Sequence, residues 1–304
     1  MGLTEKQLEE HYNGIGGSLA PAVVGVDPYK TTYQAYEEMT DPTSREDISD
    51  KEQVIFGNVL EDPIAKEFAR RKGFKIQRVN ITRRHKDYPF MLAHPDRIVV
   101  GKREGLEIKN RSYFKGAEYG ADDTDQVLDS ELVQCMHYMA VLDYERWHLG
   151  VLIGGQQLRM FTIERDDELI RTLVDIESDF WSRVKTRTPP TPTTSEDMIK
   201  AWPGHAGELI VATLDIECLV EDLRDRKAEK TRLEKEIKGM ELELKKFMGD
   251  AVGVCIDDTR NKPIATWKPQ TTTRLDQEAV KAMLGDELHL YQTTSKTRVL
   301  RLSK

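Results

Sequence analysis

HPDRIVVGKREGLEIKN, residues 94–110, decides how this chain is read. Its runs 97–100 and 106–110 are short and rich in aliphatic residues, and GKREG separates them, which predicts a β-hairpin. In the second run Glu107 and Lys109 are two residues apart and share one face of a strand, while Ile108 points to the other face, into a core. With 101–104 as a four-residue loop, Val100 pairs with Gly105. Antiparallel counting then sets Asp96 opposite Lys109 and beside Glu107. Two carboxylates and an ammonium meet at one end of a hairpin.

That grouping suits phosphodiester hydrolysis. Mg2+ prefers oxygen ligands and completes its shell with one or two carboxylates, phosphate and water. A bound ion makes water more acidic and offsets charge on the scissile phosphate. A lysine beside it orients the water or stabilises the transition state. Glu61, on the preceding helix, adds a third carboxylate for a second ion or an outer-shell water. The competing reading is a surface hairpin with an ordinary Glu–Lys alternation, because D-x(n)-E-x-K is short enough to arise by chance.

Toward the N-terminus, residues 1–40 read as a Gly-rich turn and two short helices, with Ser18 as the N-cap of the first and Thr32 as that of the second, 33–39. Residues 41–50 form a polar loop. Phe56, Leu60, Ile64 and Phe68, spaced by four, predict a helix over 53–71. Pro63 inside it predicts a kink or a restart. A strand follows at 74–79.

Toward the C-terminus come an acidic loop (115–126), a helix (128–142), two strands (147–153 and 157–163) around Gly154-Gly155, and a helix (166–185). The fold class is therefore α/β, with a central mixed sheet flanked by helices over 1–185. TRTPPTPTTSED (186–197) has little helical or sheet potential and opens a Pro/Thr-rich linker, 186–206.

Residues 207–249 read as one long charged helix, roughly 60 Å if unbroken. Leu233, Ile237, Met240, Leu244 and Phe247 follow 4-3-4-3 spacing, as do Ile216, Leu219 and Leu223, and Arg226 and Lys230 interrupt the seam. This coiled-coil-like stripe serves self-association, docking on the body of the protein, or binding of another protein. Gly249 stops it. Residues 250–304 read as a small α+β cap: a hairpin (252–256 with 264–267), a helix (276–284) and a final strand (297–302).

The 304 residues suit two domains, or one with an appendage. Charged residues make up 32% and the mean hydropathy is −0.57. No apolar run approaches the roughly 20 residues needed to span a bilayer, so no membrane association is expected. MGLTEKQLEE is polar and acidic, unlike a secretory signal, and Lys6 stands where N-myristoylation wants Ser or Thr. Cys135, Cys218 and Cys255 are widely spaced, with neither a disulfide framework nor metal-ligand spacing. A reducing cytoplasm fits. The net charge of −8 argues against a broad nucleic-acid face. It is compatible with DNA when bases line one channel. Arg78, Arg83, Arg84, His85 and Lys86 read as a phosphate-backbone patch or as a solvated loop. Tyr29-Lys30 offers stacking and charge or simply covers a loop.

Several blocks, in order, carry a family resemblance: GIGGSLAPAVVGVDPYKTTYQAYEEMT (14–40), FGNVLEDPIAKEF (56–68), AHPDRIV (93–99), GLEIKN (105–110) and ELVQCMHYMAVL (131–142). Together they span most of 12–185. The chain resembles the YqaJ-like viral recombinase group, relatives of phage lambda exonuclease within the PD-(D/E)XK nucleases. GMELELKKFMGDA, TWKPQTTTRLD and KTRVLRL resemble a tail found on some phage members.

The resemblance implies a restriction-endonuclease-like core. It implies a Mg2+-dependent exonuclease, with Mn2+ able to substitute, that degrades one strand of linear double-stranded DNA, 5′ to 3′, for phage-type recombination. Asp96, Glu107 and the carbonyl of Ile108 would hold the metal, Lys109 would assist catalysis, and Glu61 would complete the site. Gln134 and Tyr138, at i and i+4, share one helical face, which the family turns toward the active site; a satisfied core polar pair is the bland reading. Ser18 would meet a phosphate at a helix start, or serve only as a cap. His94 is a metal neighbour or a turn histidine. Seven residues before Ser18, where lambda-type relatives carry an arginine that holds a terminal 5′-phosphate, stands His11; His11 or Lys30 would take that task.

The implied partners are DNA ends, a single-strand annealing protein and further copies of the chain in a trimeric ring, in a bacterial host cytoplasm. A Cas4- or RecB-like nuclease is the enzymatic alternative, and the missing four-cysteine cluster disfavours its iron–sulfur forms. A non-catalytic DNA-end or scaffold protein is the other; its expected signature, loss of an acid or the lysine, is absent.

Overall fold

The computed structural model describes residues 13–45, 47–204, 209–256, 262–293 and 299–302. His11 lies outside the described residues. The chain divides into two units between Trp202 and Pro203. In the first unit the described strands are β1 (Ile15–Gly16), β2 (Ile76–Gln77), β3 (Arg83–Arg84), β4 (Met91–Ala93), β5 (Arg97–Val99), β6 (Glu104–Arg111), β7 (Arg146–Ile153) and β8 (Gln157–Glu164). Its helices are α1 (Ala20–Val24), α2 (Thr32–Thr40), α3 (Glu52–Lys72), α4 (Asp129–Leu142), α5 (Asp167–Thr186) and α6 (Ser195–Ala201).

The expected central mixed sheet is present, in the order β2-β5-β6-β7-β8. β5–β6 and β7–β8 are antiparallel, while β6 and β7 run parallel through a connection that contains α4. Side-chain alternation divides its faces. Leu106 and Ile108 pack with Ile64, Ala65 and Phe68 of α3. Trp147 on β7 points the other way, into the core formed with α4 and α5. Glu107 and Lys109 share that second face. A small sheet, β1-β4-β3, was not foreseen; strands of two or three residues carry no period to read.

The hairpin register differs from the predicted one. Arg97 pairs with Leu106 and Ile98 with Gly105, so the loop is 100–103 and the count continues to Asp96 across from Glu107 instead of Lys109. Val100 is drawn out of the hairpin because its N–H donates to the Lys75 carbonyl at 2.7 Å, and Gly101 takes the left-handed turn conformation at φ +82°. Each partner moves by two positions, which preserves every face. Gly105 is required where it stands: a Cβ there would lie 2.3 Å from the Trp147 ring.

Three helix starts are also corrected. Leu19, not Ser18, occupies the cap position of α1 and makes no side-chain bond. Thr31, not Thr32, caps α2 in a reciprocal box with Gln34, while Thr32 Oγ1 donates to the Ala22 carbonyl at 2.9 Å. In the stretch read as a linker, Thr194 and Asp197 form another capping box and start α6. Lys200 ties α6 to Glu37 of α2 at 2.7 Å. α3 runs through Pro63 as one helix and ends at Gly73, with Arg70, Arg71 and Lys72 favourably placed in its last turn. Only the later half of its predicted stripe is core: Phe68 is buried and Phe56 is exposed.

The second unit contains α7 (Leu214–Met248), the antiparallel pair β9 (Gly253–Val254) and β10 (Ala265–Thr266), and α8 (Gln277–Leu284), capped by Asp276. Residues 209–213, expected in the long helix, are not helical, and 207–208 lie outside the described residues. Of the expected final strand, 297–298 also lie outside, and 299–302 form no strand. Among the described residues no helix is long and apolar enough to cross a membrane. All three cysteines are free.

A fully buried ion pair fastens α4 inside the first unit. His137 Nδ1 lies 2.8 Å from Glu177 Oε1 on α5, and Nε2 lies 2.9 Å from the Leu92 carbonyl on β4. Burial pulls the imidazole pKa down, but Glu177 and the Leu92 carbonyl, which favour the protonated ring, together hold it above the ordinary value. The stability His137 contributes is therefore complete below pH 6.5, the unfolded value, and lost as pH rises through the higher folded value. Denaturant unfolding measured across that window will show stability falling with pH in the native chain and a flatter profile in His137→Gln. In the same assay Gly105→Ala, which drives a methyl into Trp147, will lower stability by about 1–3 kcal/mol.

Candidate active site

β6 and α4 together set the functional side chains. Glu107 and Lys109, two apart on β6, both face α4, where Gln134 and Tyr138 occupy successive turns of one helical face. Lys109 Nζ donates to Glu107 Oε1 at 2.6 Å and to Gln134 Oε1 at 2.8 Å. Gln134 Nε2 in turn donates to the same Glu107 oxygen at 2.7 Å, and it lies 3.2 Å from the Tyr138 hydroxyl. Tyr138 donates to the His94 carbonyl at 3.3 Å, which links α4 to the segment that leads into Asp96. Gly17 allows the N-terminal turn to pass close by, since a Cβ there would lie 2.3 Å from the Tyr138 ring.

Asp96 lies one residue ahead of β5, where the ladder stops. Its Oδ2 accepts the Ile108 N–H at 2.8 Å, so the side chain continues the pairing that the backbone ends. Burial pushes the Asp96 carboxyl well above the ordinary carboxylate range, and the Glu107 charge pushes the same way. Burial lowers the Lys109 ammonium, but Glu107 and Asp96 more than compensate and hold it raised. Lys109 is thus kept charged by the two acids it serves.

Ser18, Lys30, Asp96, Glu107, Lys109, Gln134 and Tyr138 line one cleft of about 490 Å³. Lys30 is tied to Glu38 at 2.5 Å, and Ser18 is exposed on the cleft wall. Glu61 does not line the cleft. Its Oε1 accepts from Arg97 at 2.6 Å and from Arg78 at 3.3 Å. His94, which also lines the cleft, has its Nε2 2.8 Å from Thr82 Oγ1. A smaller neighbouring cavity of about 160 Å³ adds Tyr29, Arg111, Lys115 and Glu131 to the Lys109 side.

Sequence reading missed four contributors, Arg97, Arg111, Tyr119 and Glu131. Arg97, 3% exposed, also bonds Asp62 at 2.9 Å and the Asp96 carbonyl at 2.6 Å. It holds the backbone at Asp96 while occupying Glu61. Arg111 and Tyr119 both donate to Glu131, at 2.9 and 2.6 Å. An arginine directly after the acid was visible in DRIV, but nothing in the sequence revealed that its side chain turns back toward α3.

A divalent cation fits the residues present. Glu107 Oε2 is buried and has no hydrogen-bond partner, whereas Oε1 is fully engaged. An anionic oxygen stranded in this way is costly unless a cation offsets it. The donors that the family resemblance implies, Asp96, Glu107 and the Ile108 carbonyl, are all oxygen, the set hard cations prefer. Among the described residues no group of three His, Cys, Asp or Glu side chains is arranged to hold a metal, so a backbone carbonyl and water would have to complete the shell. Gln134→Leu removes the amide that orients Glu107 and Lys109. Titration calorimetry will show divalent-ion affinity about 10- to 100-fold weaker in that variant.

The family model for the YqaJ-like viral recombinase domain matches residues 7–145. An uncharacterized protein YqaJ of Bacillus subtilis is 31% identical over 292 residues, covering 93% of this chain and 88% of that protein. An alkaline exonuclease of Laribacter hongkongensis superposes with a TM-score of 0.49 at 17% identity, covering 61% of this chain and 94% of its own. A phage-related exonuclease of Haemophilus somnus gives 0.44 at 14% identity, covering 59% and 98%.

Proposed function

Because the chain belongs to the YqaJ-like viral recombinase domain family, we propose that its first unit is a divalent-metal-dependent exonuclease. It degrades one strand of linear double-stranded DNA, 5′ to 3′, and leaves single-stranded DNA for phage-type recombination. The observation that carries this reading is the Glu107 carboxylate, locked through one oxygen by Lys109 and Gln134 and unpaired at the other. An ordinary surface hairpin has no reason to bury a carboxylate half-satisfied beside a second acid.

Mg2+ is the proposed ion, with Mn2+ able to substitute, and Asp96, Glu107 and the Ile108 carbonyl would hold it. When bound, such an ion supplies an acidified water and neutralises charge on the scissile phosphate. Lys109 places a fixed positive charge beside that position, where it stabilises the anionic transition state. Gln134 holds the ammonium in place, and Tyr138 fixes the turn before Asp96. Glu61 would act from outside the cleft through water. Lys30 and Ser18 on the cleft wall, together with His11, are the proposed contacts to a terminal 5′-phosphate, and Tyr29, 81% exposed, is placed for stacking. The resemblance further suggests a trimeric ring around DNA, a single-strand annealing protein as partner, and a host cytoplasm.

Strand-labelled linear duplex incubated with the full chain will be shortened from its 5′ ends in Mg2+ and left intact in EDTA. Asp96→Ala and Lys109→Ala will each reduce cleavage by about 100- to 1000-fold or more and still bind duplex ends. Digestion unchanged in the Asp96 variant would refute the site. End binding without digestion by the native chain would favour the non-catalytic reading.

A further inference from the structure

α7 presents a heptad seam to solvent, interrupted only at Arg226 and Lys230. With Ile216 at a and Leu219 at d, the register continues without a break to Leu244 and Phe247. Leu233, Ile237, Met240 and Phe247 are 44, 50, 62 and 78% exposed. A helix of 35 residues, about 50 Å long, with this much apolar surface in solvent is an unfilled interface.

The charges beside the seam say what fills it. The g positions are Asp215, Asp222, Glu229, Glu236 and Glu243, every one acidic, and the later e positions Glu234 and Glu241 are acidic too. Arg232, Lys235, Lys238 and Lys245 lie on the opposite, outward positions. Seven of the ten acids of α7 thus flank the seam, while Glu217, Glu221 and Asp225 lie outward with most of the bases. Within the seam stand two cations, Arg226 at d and Lys230 at a, whose ion-pair partners Glu229 and Glu234 lie on the same helix at 3.2 and 3.7 Å.

A second copy of this chain is a poor occupant. In a parallel pair, Glu229 would face Glu234 of the other copy and Glu236 would face Glu241, with only Asp222 meeting a base, Lys227. In an antiparallel pair the two all-acidic g rows would face each other. Either arrangement also buries Arg226 and Lys230 against cations or apolar groups. Like-charge rows of this kind exclude self-pairing and select a different partner.

We propose that α7 is the docking helix for a different protein, an amphipathic helix with Lys or Arg at its flanking positions and an acidic residue opposite Arg226 and Lys230. This surface stands on the second unit alone and does not depend on the nuclease reading.

The test uses the full chain and two synthetic helices as long as α7. Both carry Ile and Leu at a and d and Glu opposite Arg226 and Lys230; one has Lys at all e and g positions, the other Glu. Fluorescence anisotropy is expected to show the basic helix binding at least about tenfold tighter than the acidic one, with the difference shrinking in high salt. Leu233→Asp with Ile237→Asp, at exposed positions, is expected to abolish binding and leave thermal unfolding unchanged. Equal affinity for the two helices, or binding of neither, would overturn the proposal. So would a sedimentation-equilibrium mass that drops in the double variant, because that result makes a second copy the occupant.

Discussion

One oxygen atom organises the first unit. Glu107 Oε1 receives both Lys109 Nζ and Gln134 Nε2, and the other arrangements of the cleft follow from that convergence. A carboxylate at 5% exposure is costly to bury without charge-assisted partners. Lys109 provides one from the same strand, and α4 must lie across the sheet at the correct turn to provide the other. The register of β6, the position of α4 and the charge of Lys109 are therefore a single constraint. Satisfying it leaves Oε2 buried without a hydrogen-bond partner.

The supports of α4 show how the constraint is met. His137 and Tyr138 are adjacent on the helix and reach the Leu92 and His94 carbonyls. The backbone leading into Asp96 is held at two points by the helix that also positions Glu107. Arg97 holds it from the opposite side, with one guanidinium bridging Glu61, Asp62 and the Asp96 carbonyl. Asp96 is thereby fixed relative to Glu107 by two helices on opposite faces of the sheet, which is how short strands can hold a precise pair of acids.

The facing of the site was legible in the sequence and its closure was not. A two-residue spacing puts Glu107 and Lys109 on one face of any strand, and i, i+4 spacing puts Gln134 and Tyr138 on one face of any helix. Both statements are independent of register, and because the hairpin shifted by an even step Asp96 also stays on the face of Glu107. The caps fall one residue away from Ser18 and Thr32: the first helix starts at Leu19 with no side-chain cap, and at the second Thr31 takes the capping N–H while the Thr32 hydroxyl donates to the Ala22 carbonyl. Thr194-x-x-Asp197 was present in TTSED, but proline-rich surroundings hid a capping box. Arg97, Arg111, Tyr119 and Glu131 were invisible for a different reason. Their roles come from long-range side-chain contacts between elements, and no local period encodes those.

The two units carry opposite solutions to the same electrostatic problem. In the cleft, acids are forced together and each is answered by a named donor, and the remaining unpaired oxygen is the basis of the proposed cation site. Along α7 the acids are equally crowded beside an apolar surface, but they stay in water and are answered only in part, by bases on the same helix. Solvated acids at this spacing need no metal. What they do is set a condition on whatever covers the seam, which must bring positive charge at heptad spacing. A burial difference between two sets of carboxylates thus separates the proposed ion site from the proposed helix-docking surface.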